Sequence, residues 1–202
     1  MPIAIVRLAE RPLTTKFGTW QEILYYDGQA ESIALVHGDV AHQEDVPCRV
    51  HSACVSAHVF NSIECDCREQ MAIAQELIQQ HGRGIVIWLD QDGRGSGHLA
   101  LMRAVRLAAE QAIPQTEAYR RLGYGDDRRR YEQAAAILAN VQVASVRLLT
   151  NSTHKLRALV QSGVTVTGQL PVAVDLVTHP QLRGYYEDKV AHGHVLDVSQ
   201  GP

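Results

Sequence analysis

The sequence lacks the features that mark several large classes of protein. Positive charge is not in excess, because 19 Lys and Arg residues stand against 22 Asp and Glu residues, a formal net charge of -3. Non-specific nucleic-acid binding needs a dominant basic surface, so we expect no nucleic-acid partner. No apolar run approaches the length of a membrane span, and the first residues lack the long apolar core of a signal peptide. We therefore expect no membrane partner, and an anionic ligand must be held by a local cluster of Arg and Lys.

Cysteine is also scarce. The four cysteines lie within positions 48–67, a clustering unlike the disulfide framework of a small secreted protein, so we expect a reducing cytoplasm. Repeats, low-complexity segments and Pro/Gly/Ser linkers are absent as well, so nothing marks a domain boundary. With 202 residues, of which 46% are hydrophobic, the chain is long enough to bury a core. We expect one domain over residues 1–202, with a polar, loosely ordered tail from about residue 180.

The patterning predicts a fold of the α+β class with a mixed sheet. Apolar runs rich in β-branched and aromatic residues predict a β-rich first part, with strands at 2–9, 20–26, 32–37 and 47–51. After about residue 70, strands and helices alternate, which favours an α/β arrangement for the second part. There we expect helices at 70–80, 99–111, 131–138 and 155–161, and strands at 84–89, 143–149 and 164–166.

The strongest chemical signal is the spacing of Cys54, Cys65 and Cys67, a C-x10-C-x-C pattern. Three thiolates from one short segment can hold a zinc ion and leave a fourth position for water, which is the ligand count of a catalytic zinc site. The alternative is that these are buried free cysteines, which behave as small hydrophobes. Zinc is favoured because Asp66 lies among them, and its carboxylate would be costly to bury among apolar thiols.

Two further stretches have the composition of anion-binding turns. Residues 92–97, DGRGSG, lie between a predicted strand and a predicted helix, where glycines free backbone N–H groups to approach a phosphate. The same pattern is also that of a plain tight turn, and it matches neither standard nucleotide-binding fingerprint. Residues 150–155, TNSTHK, follow a strand and open a helix, so their hydroxyls could cap that helix or hold a phosphate. Taken alone, this second stretch favours capping.

A dense charge run occupies residues 126–130, DDRRR, after the Gly-Tyr-Gly of residues 123–125. Acidic residues in a first helical turn followed by basic ones suit the helix dipole, so a solvated helix start is the simple interpretation. A catalytic role for these charges is the alternative.

Taken together, these stretches resemble the GTP cyclohydrolase II family, whose members open the guanine ring at the start of riboflavin synthesis. The resemblance covers nearly the whole chain. It is carried by RVHSAC (49–54), FNSIECDC (60–67), Gln70, DGR (92–94), LGYGDDRR (122–129) and RLLTN with the following Lys (147–155). It implies the fold of that family, a purine nucleotide substrate with GTP foremost, a cytoplasmic enzyme and a homodimer.

The resemblance also implies roles for individual residues. One Zn²⁺ per chain would be held by Cys54, Cys65 and Cys67, and would activate water for attack at C8 of the purine; a second attack then releases formate. Asp127 and Arg129 are implied in catalysis at the α-phosphorus, from which diphosphate leaves, with Arg129 as nucleophile. A guanidinium rarely gives up its proton, so Arg129 could instead stabilise the transferred charge. Mg²⁺ is expected on the phosphates. The implied substrate-binding residues are Arg49, Gln70, Asp92, Gly93, Arg94, Thr116, Thr150 and Lys155.

Several positions depart from the family pattern, although the zinc ligands and the Asp127 and Arg129 pair are intact. The departures are Ala53 in place of Glu, Ser56-Ala57-His58 in place of Thr-Gly-Asp, Asp92 in place of the Glu of an E-G-R motif, Val105 in place of a Tyr beside the zinc, and a Thr displaced to Thr116. Metal chemistry and phosphate handling are therefore retained, whereas recognition of the base and handling of the opened ring are left open.

The leading functional hypothesis is a zinc-dependent hydrolase that converts GTP into a ribosylaminopyrimidine phosphate. A first alternative is a diverged paralogue that stops at the formylated, ring-opened product, because Val105 lacks the phenol of a possible proton carrier, or that acts on another purine nucleotide in a specialised pathway. A second alternative is a non-catalytic nucleotide-binding homologue, against which the intact Asp127 and Arg129 speak. A zinc-ribbon-like nucleic-acid module would need a basic face and a fourth protein ligand, for which His51 and His58 are the nearby candidates.

Overall fold

The computed structural model describes residues 3–199 and places one mixed sheet of seven strands at the centre of the fold, in the order β1-β2-β3-β5-β4-β6-β7. The predicted α+β class with a mixed sheet is confirmed. The two ends of the expected domain, and the first residue of the strand expected at 2–9, lie outside the described residues. The strands are β1 Val6–Thr15, β2 Gly18–Tyr26, β3 Glu31–His37, β4 Val46–Ser52, β5 Gly84–Leu89, β6 Val146–Leu149 and β7 Val166–Leu170.

The sheet changes from antiparallel to parallel at β5. The pairs β1–β2, β2–β3 and β3–β5 are antiparallel, whereas β5–β4, β4–β6 and β6–β7 are parallel pairs. Parallel strands end at the same edge of a sheet, so the segments that follow β4, β5 and β6 emerge side by side. Ligands of open α/β sheets bind outside this carboxyl edge. Three of the four chemical stretches of the sequence follow one of these strands, and the fourth, residues 126–130, lies between the helices Gln115–Arg121 and Glu132–Asn140.

Helices cover both faces of the sheet. The helices are α1 Val55–His58, α2 Cys67–His81, α3 His98–Gln111, α4 Gln115–Arg121, α5 Glu132–Asn140, α6 Thr153–Gln161 and α7 Arg183–Ala191, with 3-10 turns at Gly93–Gly95 and Pro180–Leu182. Alternate side chains of a strand point to opposite faces: Ile85 and Ile87 pack with buried residues of α5 and α6, whereas Val86 packs with Ala74 and Ile78 of α2. Within residues 3–199, no helix is both long and apolar enough to cross a membrane.

The expectation of a loosely ordered tail from about residue 180 differs from what the structure shows. Residues 183–191 form α7, and Leu182 and Tyr186 are buried in a small apolar cluster of their own. The tail is held by polar contacts as well, since Val174 N donates a hydrogen bond to the Tyr186 hydroxyl at 3.0 Å. The polar composition hid this helix because only two apolar side chains, Leu182 and Tyr186, recur at positions i and i+4. That spacing is enough to anchor one face of a helix.

Other differences concern element boundaries. β1 runs on to Thr15, because it forms a hairpin with β2 that closes at the Thr15–Gly18 pair. The last strand begins at Val166 and ends at Leu170, later than the 164–166 expected. The short helix α4 was not predicted; it forms because Ala118 and Tyr119 pack against Ala100 and Ala104 of α3.

Candidate active site

A cavity of about 900 Å³ opens at the carboxyl edge of β4, β5 and β6, within the size range usual for small-molecule sites. All of the site residues predicted from the sequence line this one cavity. They are Arg49, Cys54, Cys65, Cys67, Gln70, Asp92, Gly93, Arg94, Thr116, Asp127, Arg129, Thr150 and Lys155. Segments separated by about a hundred positions in the chain are thus brought together by the parallel half of the sheet.

The three thiols meet at one end of the cavity. Cys54 follows β4 at the start of α1, Cys65 lies in the loop before α2, and Cys67 is the first residue of α2. Their sulfur atoms all lie within 4.8 Å of one another, and Cys54 Sγ is 3.8 Å from Cys65 Sγ. Two sulfurs bound tetrahedrally at about 2.3 Å from a zinc ion are about 3.8 Å apart, whereas a disulfide would join them at about 2.05 Å. The triad therefore fits zinc.

The charge state of the triad depends on whether a cation is bound. Hydrogen bonds from Cys65 and Cys67 lower the pKa of the Cys54 thiol, whereas hydrogen bonds to Cys54 raise the pKa values of Cys65 and Cys67. One thiolate shared by two thiols is what three close sulfurs adopt by themselves; three thiolates need a bound cation.

No histidine completes the triad among the residues that the structure describes. The His58 ring Nδ1 donates to the Cys54 carbonyl oxygen at 2.9 Å, and the His51 ring stacks edge-on against His58 with centroids 4.9 Å apart. The Nε2 atoms of both rings are buried without a hydrogen-bond partner. A metal held by the three sulfurs would therefore keep its fourth position open, as a catalytic zinc does.

Asp66, the residue between two of the thiols, is fully buried yet well satisfied. Its carboxylate accepts hydrogen bonds from Gln70 Nε2 at 2.6 Å, the Tyr186 hydroxyl at 2.8 Å and Lys189 Nζ at 2.9 Å. A buried carboxylate is tolerated when it is paired and hydrogen-bonded in this way. Two of the three donors come from α7, so the C-terminal helix braces the thiol-bearing segment.

Arg49 and Gln70 form the wall between the thiols and β6. Arg49 Nη1 donates to the Leu149 carbonyl oxygen at 2.9 Å, and Arg49 Nη2 donates to Gln70 Oε1 at 2.5 Å. Burial lowers the pKa of the Arg49 guanidinium from its ordinary value, and the negative charge of Asp66 opposes that shift. Both side chains therefore present fixed groups to the cavity.

The carboxylate of Asp92 is used inside the protein. It accepts hydrogen bonds from Gly93 N at 2.7 Å, His98 Nδ1 at 2.9 Å and Val55 N at 3.3 Å. The last contact ties the glycine-rich turn after β5 to the first residue of α1, beside Cys54. Asp92 thus joins two loops of the cavity. Because its carboxylate is used in these contacts, the backbone of the turn is the part that can contact a ligand.

Arg94 occupies a left-handed backbone conformation, with φ 56° and ψ 33°. This turns its guanidinium toward α4 and α7, where Nη1 donates to Thr116 Oγ1 at 2.7 Å and Nη2 lies 3.3 Å from Asp188 Oδ2. Thr116 in turn lies 3.2 Å from the same carboxylate oxygen. The displaced threonine is therefore part of the cavity wall, linked to Arg94 rather than free.

Asp127 and Arg129 form a close bidentate pair. Arg129 Nε and Nη2 donate to the two carboxylate oxygens at 2.9 and 2.5 Å, and Arg129 N donates to the same carboxylate at 3.0 Å. Burial raises the pKa of Asp127, but these hydrogen bonds and the charge of Arg129 together lower it by more, so that the pKa lies below its ordinary value. Burial lowers the pKa of Arg129, but Tyr131 and Asp127 raise it above its ordinary value. The pair is fully ionised near neutral pH.

Residues 150–155 follow β6 and begin α6. Some of their polar groups cap this helix, and others line the cavity. Ser152 Oγ accepts from Lys155 N at 3.2 Å and caps the helix, as favoured from the sequence, and Thr150 Oγ1 accepts from Ser152 N at 3.1 Å. Lys155 Nζ donates to the Val50 carbonyl oxygen. Burial lowers the pKa of Lys155 well below its ordinary value, and the charges of Arg49 and Arg129 add to this.

Sequence reasoning missed Tyr119 of α4 and the cavity residues of α7. The Tyr119 hydroxyl is buried in the wall without a hydrogen-bond partner, and burial raises the pKa of Tyr119 to about 12. From α7, the cavity receives Tyr185, Asp188 and Lys189. The available signal was the i, i+4 spacing of Leu182 and Tyr186, which predicts a helix whose other face carries these polar groups.

Comparison with known proteins points to the family that the sequence resembles. A sequence model of the family described as GTP cyclohydrolase II matches residues 6–171. A protein named GTP cyclohydrolase-2 from Streptomyces coelicolor is 40% identical over 173 residues, which cover 84% of this chain and 77% of that protein. The riboflavin biosynthesis protein RibBA of Bacillus cytotoxicus is 36% identical over 197 residues, covering 96% of this chain and 49% of that protein, so the chain spans about half the length of this relative.

Among solved structures, RibBX of A. baumannii, a two-domain 3,4-dihydroxy-2-butanone 4-phosphate synthase, has a TM-score of 0.48 and 18% identity, covering 85% of this chain and 40% of that one. That likeness is too low to bear on activity. The family model covers most of the chain, and the motifs that carry the resemblance converge on one cavity. This chain belongs to the GTP cyclohydrolase II family.

Proposed function

We propose that this chain hydrolyses GTP, opening the imidazole ring at C8 and releasing formate and diphosphate to give a ribosylaminopyrimidine phosphate. One observation carries the proposal: a zinc-competent thiol triad and an Asp127–Arg129 ion pair line the same cavity. We call the triad the metal end of the site and the ion pair its phosphate end. A nucleotide is a ligand that needs both ends at once. A nucleotide-binding homologue without catalysis would have no use for the open fourth position of the metal site.

At the metal end, Cys54, Cys65 and Cys67 would hold Zn²⁺, which lowers the pKa of a bound water to about 7 and so supplies hydroxide near neutral pH. The protein's own part is to place the purine beside this position. Arg49 and Gln70 are held rigidly by each other and by Asp66, so they can orient the nucleotide without reorganising.

At the phosphate end, Arg129 is best suited to stabilise negative charge. Its pKa lies above the ordinary value and its guanidinium is already ionised against Asp127, which speaks against a nucleophilic nitrogen. A planar guanidinium binds phosphate oxygens in a bidentate manner. The Thr150 hydroxyl and the N-terminus of α6 would contact the remaining phosphate oxygens, and the negative charge of a phosphate would favour the protonated form of Lys155.

The test is product identification with purified, zinc-loaded protein. The protein is incubated with GTP, ATP and their monophosphates in the presence of Mg²⁺, and products are identified by mass, with diphosphate measured in parallel. We expect turnover of GTP with one diphosphate released per ring opened. Binding of GTP with no turnover would overturn the proposal and favour the non-catalytic homologue; turnover of a different purine nucleotide alone would correct the substrate.

A second candidate is an enzyme that stops at the formylated, ring-opened product. Val105 on α3 lines the cavity at the position where the family resemblance implies a tyrosine, and it offers no proton carrier. The unpartnered hydroxyl of Tyr119 on α4 is the phenol that could take over that task. The ratio of formate to diphosphate decides: a ratio near zero, raised by Val105→Tyr, favours the truncated reaction. Stoichiometric formate that falls in Tyr119→Phe would instead assign the second step to Tyr119.

Three further features belong to this proposal and follow from the family alone. They are Mg²⁺ on the nucleotide phosphates, a homodimer in the cytoplasm, and a place in riboflavin synthesis, the pathway named for the Bacillus relative. Dependence of turnover on added Mg²⁺ at constant zinc, and the mass of the purified protein by light scattering, test the first two. Rescue of riboflavin auxotrophy by expression of this chain tests the third.

A further inference from the structure

We propose that Asp188 on α7 is the residue that selects guanine, by accepting hydrogen bonds from the N1–H and the 2-amino group of the base. This inference deepens the proposed function and rests on it for the identity of the nucleotide. Helix α7 lies beyond residues 6–171, which the family model matches, so the match assigns nothing to this side chain. Base recognition is also the property that the departures at Ala53 and Asp92 leave open.

The first observation is that Asp188 lies in the cavity wall but is only loosely held. Its side chain is 11% exposed, and its carboxylate oxygens lie 3.3 Å from Arg94 Nη2, 3.2 and 3.4 Å from Thr116 Oγ1, and 3.4 Å from His192 Nδ1. Hydrogen bonds between charged groups are normally about 2.7–2.9 Å long. A carboxylate has about four acceptor positions, so Asp188 keeps acceptor capacity for a ligand.

The other carboxylates of the cavity wall are committed elsewhere or point outward. Asp92 accepts three hydrogen bonds at the glycine-rich turn, and Asp127 is bidentate with Arg129. Asp126 is half exposed and is held by Arg120 at 2.5 Å, and Glu64 lies exposed in the loop before α2. Among the described residues that line the cavity, Asp188 is thus the carboxylate that is largely buried and still has acceptor positions free for a ligand.

Hydrogen-bond chemistry decides which part of the nucleotide Asp188 can bind. An ionised carboxylate only accepts hydrogen bonds, so the ligand group that it binds directly must be a donor, which the phosphates are not. Guanine presents two adjacent donors, N1–H and the 2-amino group, which match the two oxygens of one carboxylate. Adenine presents an acceptor at N1, and hypoxanthine keeps N1–H but lacks the amino group, which is the donor that distinguishes G·C from A·T pairs in a minor groove. Asp188 should therefore favour guanine over both.

The experiment compares GTP with inosine triphosphate, which differs only by the 2-amino group. Affinities of zinc-loaded protein for both nucleotides are measured by titration calorimetry in magnesium-free buffer, for the wild type and for Asp188→Asn and Asp188→Ala. A hydrogen bond to a charged group corresponds to about tenfold to a hundredfold in affinity, so we expect that preference for GTP in the wild type. We expect it to fall several-fold in Asp188→Asn and to vanish in Asp188→Ala.

The ratio of the two affinities separates recognition from a merely structural role. If Asp188 only positions Arg94, both nucleotides lose affinity by the same factor and the ratio stays constant, which overturns the inference; a wild type that binds both equally also overturns it. Asp126→Asn, at a carboxylate held by Arg120 on the rim, is the matched control and should leave the ratio unchanged. Because the readout is binding, a guanine preference without turnover would contradict the proposed reaction and leave the role of Asp188 intact.

Discussion

The two ends of the cavity differ in how far their functional groups are already satisfied. At the metal end, the sulfurs of Cys54, Cys65 and Cys67 contact one another. At the phosphate end, Arg129 is paired with Asp127, and Lys155 donates to a strand carbonyl oxygen. Under the proposed function, the metal end would need a cation before it could act, whereas the phosphate end is held in place by internal contacts that a substrate would partly exchange. Changes at the first end should abolish activity, and changes at the second should reduce it by degrees.

The largest effect is expected from Cys54→Ser. Loss of one of three sulfur ligands should remove zinc, and because a metal supplies several kcal/mol of transition-state stabilisation, turnover should fall by about 10³-fold or more. Zinc per chain by elemental analysis, circular dichroism and diphosphate release are the measurements. Cys48→Ala is the control, since the fourth cysteine is buried in the sheet core away from the triad and should keep its zinc. Unfolding of Cys54→Ser with the control intact would make the zinc structural.

A smaller, graded loss is expected from Arg129→Lys. Lysine keeps the charge but cannot form the bidentate contact seen with Asp127, so transition-state stabilisation should fall while zinc is retained. Removing one preorganised donor typically costs about 10²–10³-fold in rate, and kcat for diphosphate release should show that loss with unchanged zinc content. If Arg129 were the nucleophile, lysine, which deprotonates far more readily, would leave a substantial rate that rises with pH. A flat pH profile would support charge stabilisation.

The same contrast explains which parts of the molecule could be predicted from the sequence. The thiol triad and the turns after β5 and β6 are local motifs, and the parallel half of the sheet brings them together by a general rule. α7 was missed because its local signal is short, the single i, i+4 pair of Leu182 and Tyr186, and its polar anchors act across the chain. Lys189 and Tyr186 reach Asp66 over a separation of about 120 residues. Asp66, the carboxylate on which the zinc prediction partly relied, was the sequence feature that could have indicated α7, because a buried charge requires partners.

The contact between the two loops at the phosphate end can be tested by Gly95→Ala. Gly95 has φ +78°, and an added Cβ would lie 2.7–2.9 Å from backbone atoms of Arg128 and Arg129, so the loop that carries the ion pair must move. Gly123→Ala is the matched control, with φ +77° and nothing within 4 Å. The left-handed conformation costs each variant about 1–2 kcal/mol; Gly95→Ala should additionally lose kcat several-fold at constant zinc. Equal losses in both variants would mean that the loop tolerates the approach.

The smallest expected effect is a pH-dependent stability difference between the wild type and Asp127→Asn. Arg129 and its hydrogen bonds hold the pKa of Asp127 below its usual value of 3.8, against the opposing effect of burial. The folded state therefore favours the carboxylate, whose contribution is complete above pH 3.8 and is lost as the pH falls through the lower folded pKa. With Asp127 24% exposed, solvent screening reduces the contribution to about 1 kcal/mol, or about 2–4 °C in Tm for a chain of this size. Comparing the two proteins in the same metal state cancels the effect of zinc loss in acid. The Tm gap should be constant from pH 7 to pH 5 and close below about pH 3.8, whereas a gap that widens in acid would mean that Asp127 is strained by its burial rather than stabilised by Arg129.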